Sequence, residues 1–334
     1  MTDASASRHR VVLGAGDDLD EAPTPVRSGA IAVLPDADPS VEAAVRDAGG
    51  TVGPLGASTR GIVWIGASGA EALGSALDGH PGVAWVQLPW AGVDAFAPLL
   101  ERFRGDGRIW TSAKGAYAQP VAEHALMLAL AVLRELPRRV GATAWHVDDR
   151  GRSLYGAEVV IVRAGGIAVE LLRLLEPFGV RATVVRRREA PVPGAGRTVP
   201  TADLGDAIER AEIVFVAAAL TNQSRGLIGP AEFARMSPGA VLVNVARGGL
   251  VDTDALVDAL RSGRMGGAGL DVTDPEPLPA GHPLWSAPNC IVTPHVADTE
   301  PMTVPLFAER VRRNVRAFLG DGTFEGRIDL EAGY

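Results

Sequence analysis

Short apolar runs separated by stretches with helical spacing recur along most of the chain, and this alternation constrains the fold more than any single motif. AIAVLP (30–35) and GIVWIG (61–66) read as strands, and SVEAAVRDAG (40–49) between them reads as a helix N-capped by Ser40. WVQLP (85–89), the helical DAFAPLL (94–100) and RIWTSA (108–113) continue the rhythm. A strand, a crossover helix and a second strand make a right-handed unit with parallel strands, so repeating it builds a parallel sheet covered by helices. A second series follows with EVVIV (158–162), RATVV (181–185), EIVFVA (212–217), AVLVNV (240–245), GGAGLDV (266–272) and NCIVTP (289–294). Between the series, PVAEHALMLALAVLREL (120–136) is apolar nearly all round and is expected to be a buried helix that Pro137 helps to end. The last helical stretch, 301–319, is expected to cross back to the first domain.

The composition supports two cores and excludes several partners. A chain of 334 residues with 47% hydrophobic content exceeds one typical domain. A net charge of -8 and a pI near 5.3 argue against a nucleic-acid or anionic-membrane surface, so an anionic ligand must be captured locally by arginines or backbone N–H groups. Lys114 is the one lysine among 32 cationic residues, which dilutes the meaning of any arginine cluster. Cys290, the single cysteine, excludes an internal disulfide and a cysteine-based zinc site, and reads as a buried strand residue. No His, Asp and Glu set has metal-ligand spacing. The opening MTDASASRHR lacks the apolar core of a signal peptide and the longest apolar run, Ala125 to Leu133, is too short for a bilayer, so a cytoplasmic protein is expected.

Three residues carry chemistry at strand ends. Arg247 lies in VNVARGGLVD (242–251), Glu276 in GLDVTDPEP (269–277) and His295 in TPH (293–295). A guanidinium pairs with a carboxylate in a forked geometry, and an imidazole backed by a carboxylate exchanges a proton. Together they suit a 2-keto or 2-hydroxy acid and need a hydride carrier. Strand 158–162 runs into Arg163-Ala164-Gly165-Gly166-Ile167-Ala168 and then a helical stretch, the context of a dinucleotide fingerprint. Gly165 holds its second place and Ala168 its third. Arg163 holds the first, where a non-glycine residue at positive φ costs about 1 kcal/mol or more. Such a guanidinium could instead touch phosphate, and the turn could also be a lookalike. An earlier Gly14-Ala15-Gly16 is followed by Asp17 and Asp18 and reads as a plain loop. After strand 181–185 the chain reads Arg186-Arg187-Arg188, with no carboxylate before Glu189. These arginines suit the 2′-phosphate of NADP or are a solvated run, so NADP is favoured over NAD without excluding it.

With WVQLPWAGVD (85–94), PVAEHALMLALA (120–131), LTNQSRGLIG (220–229), LVNVARGGLVDTDALVDAL (242–260), GLDVTDPEPLP (269–279), HPLW (282–285) and NCIVTPH (289–295) in this order, residues ~85 to 297 resemble the D-isomer-specific 2-hydroxyacid dehydrogenases, especially the glyoxylate/hydroxypyruvate reductase-like branch. The resemblance implies two Rossmann- or flavodoxin-like α/β domains with parallel sheets and an active site in the cleft between them, working as a dimer. Residues 1–113, completed by 298–334, would bind substrate, and 114–297 would bind the dinucleotide. Arg247 would bind substrate carboxylate, His295 would exchange the proton and Glu276 would orient it. Ala91 and Gly92 would offer backbone N–H groups to the substrate. Gly165, Gly166, Ile167, Arg186, Arg187, Ala246 and Asp271 would contact NADP or NAD, with Asp271 near the nicotinamide. Trp90 and Trp285 read as cleft or core residues, and the remaining histidines, His124 included, as structural. The implied activity is NAD(P)H-dependent reduction of a small 2-keto acid or its reverse. A non-catalytic ligand-binding paralogue with a decayed cofactor loop, and a formate or phosphite dehydrogenase relative, are the competing readings.

Overall fold

The computed structural model describes residues 9–10, 12, 29–145, 147–187 and 190–331. Gly14-Ala15-Gly16, Asp17, Asp18, Arg188 and Glu189 lie outside the described residues. The chain divides into two compact units, Met1–Tyr117 with Thr299–Tyr334, and Ala118–Asp298.

The first unit contains β1 (Ala30–Leu34), α1 (Pro39–Asp47), β2 (Thr51–Val52), β3 (Thr59–Trp64), α2 (Ala70–Gly79), β4 (Trp85–Gln87), α3 (Ala97–Arg102) and β5 (Ile109–Thr111). Its sheet is parallel in the order β2-β1-β3-β4-β5. This is the flavodoxin-like order, which reverses direction at β1 and β3. Ile62, Leu73, Leu77, Val86, Phe96 and Trp110 are among the buried side chains of one core cluster. The cap of α1 differs from the sequence expectation. Asp38, not Ser40, accepts from the N–H groups of Ser40 and Val41, because a carboxylate two residues earlier satisfies two of the free donors at the helix start.

The second unit contains α4 (Ala118–Leu133), α5 (Leu136–Val140), β6 (Glu158–Val162), α6 (Gly166–Leu175), β7 (Arg181–Arg186), β8 (Arg197–Pro200), α7 (Leu204–Ile208), β9 (Ile213–Val216), α8 (Pro230–Arg235), β10 (Ala240–Asn244), α9 (Thr253–Arg261), β11 (Met265–Leu270) and β12 (Cys290–Val292). Its sheet is parallel in the order β12-β11-β10-β9-β6-β7-β8. The chain leaves β6 through β7 to one edge and returns on the other side at β9, which makes the carboxyl ends of β6 and β9 the switch point where such sheets bind ligands. Residues of β9 and β10 are buried throughout, as strands covered on both faces must be. Gly269 permits close docking of α4 on β11, since a Cβ there would lie 2.8 Å from Leu128 Cβ. The α4 helix stops at Leu133, three residues short of the predicted end. Glu135 takes left-handed φ 54 and Pro137 opens α5 instead of ending α4, consistent with the preference of proline for the first helical turn. Cys290 is half-buried as a residue on the edge strand β12 and packs against the core of the second unit.

The last helix, α10 (Glu300–Phe318), belongs to the first unit, where Phe318 packs against Trp85 of β4 with ring centroids 5.4 Å apart. Among the described residues no helix is long and apolar enough to cross a membrane.

Candidate active site

The second unit gathers Arg247, Glu276 and His295 from turns that follow β10, β11 and β12. Asn244, the last residue of β10 and 1% exposed, shapes the first turn. Its Nδ2 donates to Arg247 O at 2.9 Å and its Oδ1 accepts from Ala246 N at 3.1 Å. Arg247 is half-buried, and its Nη1 donates to Ala246 O at 2.7 Å. Gly248 follows because nothing larger fits: a Cβ there would lie 1.9 Å from Thr273 O. The Arg247 turn therefore rests directly on the backbone that leads to Glu276.

Thr273 fixes that second turn. Its Oγ1 donates to Pro275 O at 2.8 Å, and its N–H lies 3.4 Å from Glu276 Oε2. The other carboxylate oxygen, Oε1, sits 2.6 Å from His295 Nδ1. An ionised carboxylate only accepts, so Nδ1 carries the hydrogen and Nε2 is left as the nitrogen that can exchange a proton. The His295 and Glu276 side chains are 47% and 40% exposed, open enough to meet a small molecule.

Asp271 ends up 2% exposed just beyond β11. Burial alone would raise its pKa. Hydrogen bonds from His124 and Thr293, and from the N–H groups of Val296 and Ala297, outweigh burial and hold it below the usual aspartate value. Thr293 Oγ1 donates to Oδ1 at 2.6 Å, Val296 N to Oδ1 at 3.0 Å and Ala297 N to Oδ2 at 3.0 Å. The Asp271 backbone carbonyl also accepts from His295 N at 2.8 Å. Asp298, which sequence reasoning missed, feels the charges of His295, Asp271 and Arg247, and burial raises its pKa. No sequence signal marks Asp298, because its place follows from the turn after β12 and not from a motif.

The turn after β6 has both the room and the donors for a dinucleotide diphosphate. Gly165 is the N-cap of α6 with no side-chain capping bond, and a Cβ on it would meet nothing within 4 Å. The N–H groups of Gly166, Ile167 and Ala168 open the helix, where intrahelical acceptors are lacking. Arg163 adopts φ 96, the positive value that makes the first place of such a turn a glycine position. Arg186 closes β7 and donates from Nη1 to Ala190 O at 3.2 Å, and Arg187 follows it.

Ala91 and Gly92 lie in the first unit, between β4 and a short helical turn at Asp94–Phe96. Trp90 is partly exposed, 6.1 Å from the Tyr117 ring, and Trp285 Nε1 donates to Pro279 O at 2.9 Å. Burial pushes the Cys290 thiol up to about 12. Among the described residues there is no group of three potential metal ligands.

Residues 124–297 match the family model of the D-isomer specific 2-hydroxyacid dehydrogenase NAD binding domain. A protein from Corynebacterium melassecola, described as an uncharacterized protein in the proB 3′ region, is 36% identical over 260 residues, 75% of this chain and 84% of its own. Human glyoxylate reductase/hydroxypyruvate reductase is 36% identical over 183 residues, which span 52% of this chain and 56% of the human one. A D-isomer specific 2-hydroxyacid dehydrogenase from Xanthobacter autotrophicus Py2, solved with NADPH and MES, is 27% identical with a TM-score of 0.76 and covers 92% of this chain and 100% of its own. Two parallel α/β units, paired imidazole and carboxylate at strand ends, and a match across most of the second unit lead to one assignment: the chain belongs to the D-isomer specific 2-hydroxyacid dehydrogenases, a family of oxidoreductases.

Proposed function

We propose that this protein reduces a small 2-keto acid of the glyoxylate or hydroxypyruvate type to its D-2-hydroxy acid, using NADPH in preference to NADH. The 2.6 Å bond between His295 Nδ1 and Glu276 Oε1 carries the proposal, because it directs the exchangeable proton to Nε2 on a solvent-accessible ring. Arg247 holds the substrate carboxylate through its planar fork and polarises the keto oxygen. The backbone N–H groups of Ala91 and Gly92 would serve substrate binding. The bound reduced nicotinamide supplies the hydride. As the keto carbon is reduced, His295 gives its Nε2 proton to the oxygen and becomes neutral, while Glu276 keeps the ring oriented. In the reverse direction the neutral ring takes that proton back.

Gly165, Gly166 and Ile167 would hold the diphosphate of a bound dinucleotide with backbone N–H groups, and Ala246 and Asp271 would serve its nicotinamide end. Arg186 and Arg187 favour a 2′-phosphate. The human relative's name includes both glyoxylate and hydroxypyruvate, and the Xanthobacter relative was solved with NADPH, which supports the substrate class and the cofactor preference. The enzyme is read as cytoplasmic and homodimeric. Leu136, Val140, Trp145, Val147 and Tyr155, close together in sequence, all expose large apolar side chains, and Trp145 is 95% exposed, more than an isolated chain tolerates without cost. Sedimentation at twice the chain mass is expected, and a monomer at micromolar concentration would contradict it.

The activity is tested by oxidation of NADPH and NADH with a panel of 2-keto acids. Turnover with glyoxylate or hydroxypyruvate is expected, with a fall of about 10²–10⁴-fold in His295→Ala at unchanged thermal stability. No oxidation with any 2-keto acid, or full turnover in His295→Ala, contradicts the proposal.

A further inference from the structure

We propose that His124, on α4, is a positioning residue for the proton-exchanging histidine, acting through Thr293 and Asp271. The inference rests on the active-site reading above and deepens it. His124 Nε2 lies 3.0 Å from Thr293 Oγ1 and 3.4 Å from Asp271 Oδ1. Thr293 must donate its single hydroxyl hydrogen to Asp271, since a carboxylate held below its ordinary pKa offers none in return. The threonine oxygen is thereby left as an acceptor, which fixes the hydrogen of His124 on Nε2. A directed chain results, from imidazole N–H to hydroxyl to carboxylate.

The far end of this chain is the turn that carries His295. Asp271 receives Val296 N and Ala297 N on its carboxylate and His295 N on its backbone carbonyl, three consecutive N–H groups gathered onto one residue. That grip holds His295 at φ 55, a left-handed conformation that a histidine rarely adopts unaided. It thereby aims the ring at Glu276. Asp271 is almost completely buried, and a buried carboxylate keeps its charge and its place only if its lone pairs are satisfied. His124, with a side chain 15% exposed, supplies a donor hydrogen from α4, an element far from that turn in the chain. His124 lies against both Thr293 and Asp271, and Thr293 bonds to Asp271 in turn, so the three act as one unit.

The test compares His124→Leu, which fills the space without a donor, with His124→Gln, whose amide N–H can take the place of Nε2–H. His124→Leu and Thr293→Val are each expected to lower kcat about tenfold or more while KM for the keto acid moves less than about threefold, since a misaimed acid costs turnover and not binding. The double variant should be no worse than either single one, because both break the same chain. His124→Gln should recover most of the loss. Amide hydrogen exchange of Val296 and Ala297 should accelerate in the Leu variant and return toward wild type in the Gln variant. If His124→Leu lowers kcat and raises KM equally, or if Gln rescues nothing, His124 has only a packing role. If the wild type turns over no 2-keto acid, the activity reading fails, and the exchange rates alone still decide whether His124 holds the turn.

Discussion

Two turns that follow strands of the same sheet, at Arg163 and His295, place a non-glycine residue at positive φ, and they are held in different ways. His295, beyond β12, sits at φ 55 with three neighbouring N–H groups fastened to Asp271. Arg163, beyond β6, sits at φ 96 where its N–H donates to Val185 O at 2.7 Å, one residue past the last β6–β7 pair, before the chain opens into Gly165 and α6. The first turn is fixed by a buried side chain that the rest of the site depends on. The second continues the strand pairing, through the bond from Arg163 N–H to Val185 O. Strained backbone persists only where its surroundings over-determine it. At His295 the backbone N–H groups around the strained residue are held by Asp271, whereas the backbone N–H of Arg163 is held by the neighbouring strand.

The sharpest way to break this contrast is to remove the polar grip. Asp271→Ala leaves the Thr293 hydroxyl and the Val296 and Ala297 N–H groups without their acceptor in a buried place, and is expected to cost about 3–5 kcal/mol in chemical denaturation, with turnover lost. A loss below about 1 kcal/mol would show that the turn after β12 holds itself. Asp271→Asn gives a smaller and pH-dependent effect. Asp271 has a folded pKa below its ordinary 3.8, so the folded state binds this proton less readily than the unfolded state does. The stabilisation is fully present above the unfolded value and is lost as pH falls through the lower folded one. The stability gap between wild type and Asp271→Asn should be constant from pH 7 to about 5 and close below about pH 4. A gap that does not change with acid would mean the carboxylate charge contributes nothing.

The same contrast explains what could be read in the amino-acid order. The apolar runs placed β1, β3, β6, β9 and β10 within a residue or two because strands covered on both faces must be apolar along their length. The edge strand β8 was missed, since RTVP is short, polar at one end and closed by proline, as edge strands often are. Arg247, Glu276 and His295 stood out because guanidinium, carboxylate and imidazole groups at three strand ends are not needed for folding. His124 did not. An isolated histidine in an apolar helix has the look of a core residue, and its partner Thr293 is 169 positions away, so only the folded chain shows them in contact. Helix ends were lost for a similar reason: Asp38 and Ser40 are both good caps, and the chain's path decides which of them faces the free N–H groups.

Arg163 offers the smallest effect and the one with the opposite sign. An L-residue at positive φ costs about 1–2 kcal/mol, which glycine avoids, while glycine gives back about 0.5–1 kcal/mol through the greater freedom of the unfolded chain. Arg163→Gly is therefore expected to stabilise the protein by a few tenths to about 1 kcal/mol, a rise in Tm of ~1–4 °C. The equivalent change at the other turn, His295→Gly, should give a smaller gain or none, because it also removes the imidazole and its bond to Glu276. Calorimetry on the two variants side by side separates the cases. Equal shifts would mean that both turns carry the same backbone strain, and a fall in Tm for Arg163→Gly would mean that the arginine side chain contributes more to the folded turn than its φ value takes away.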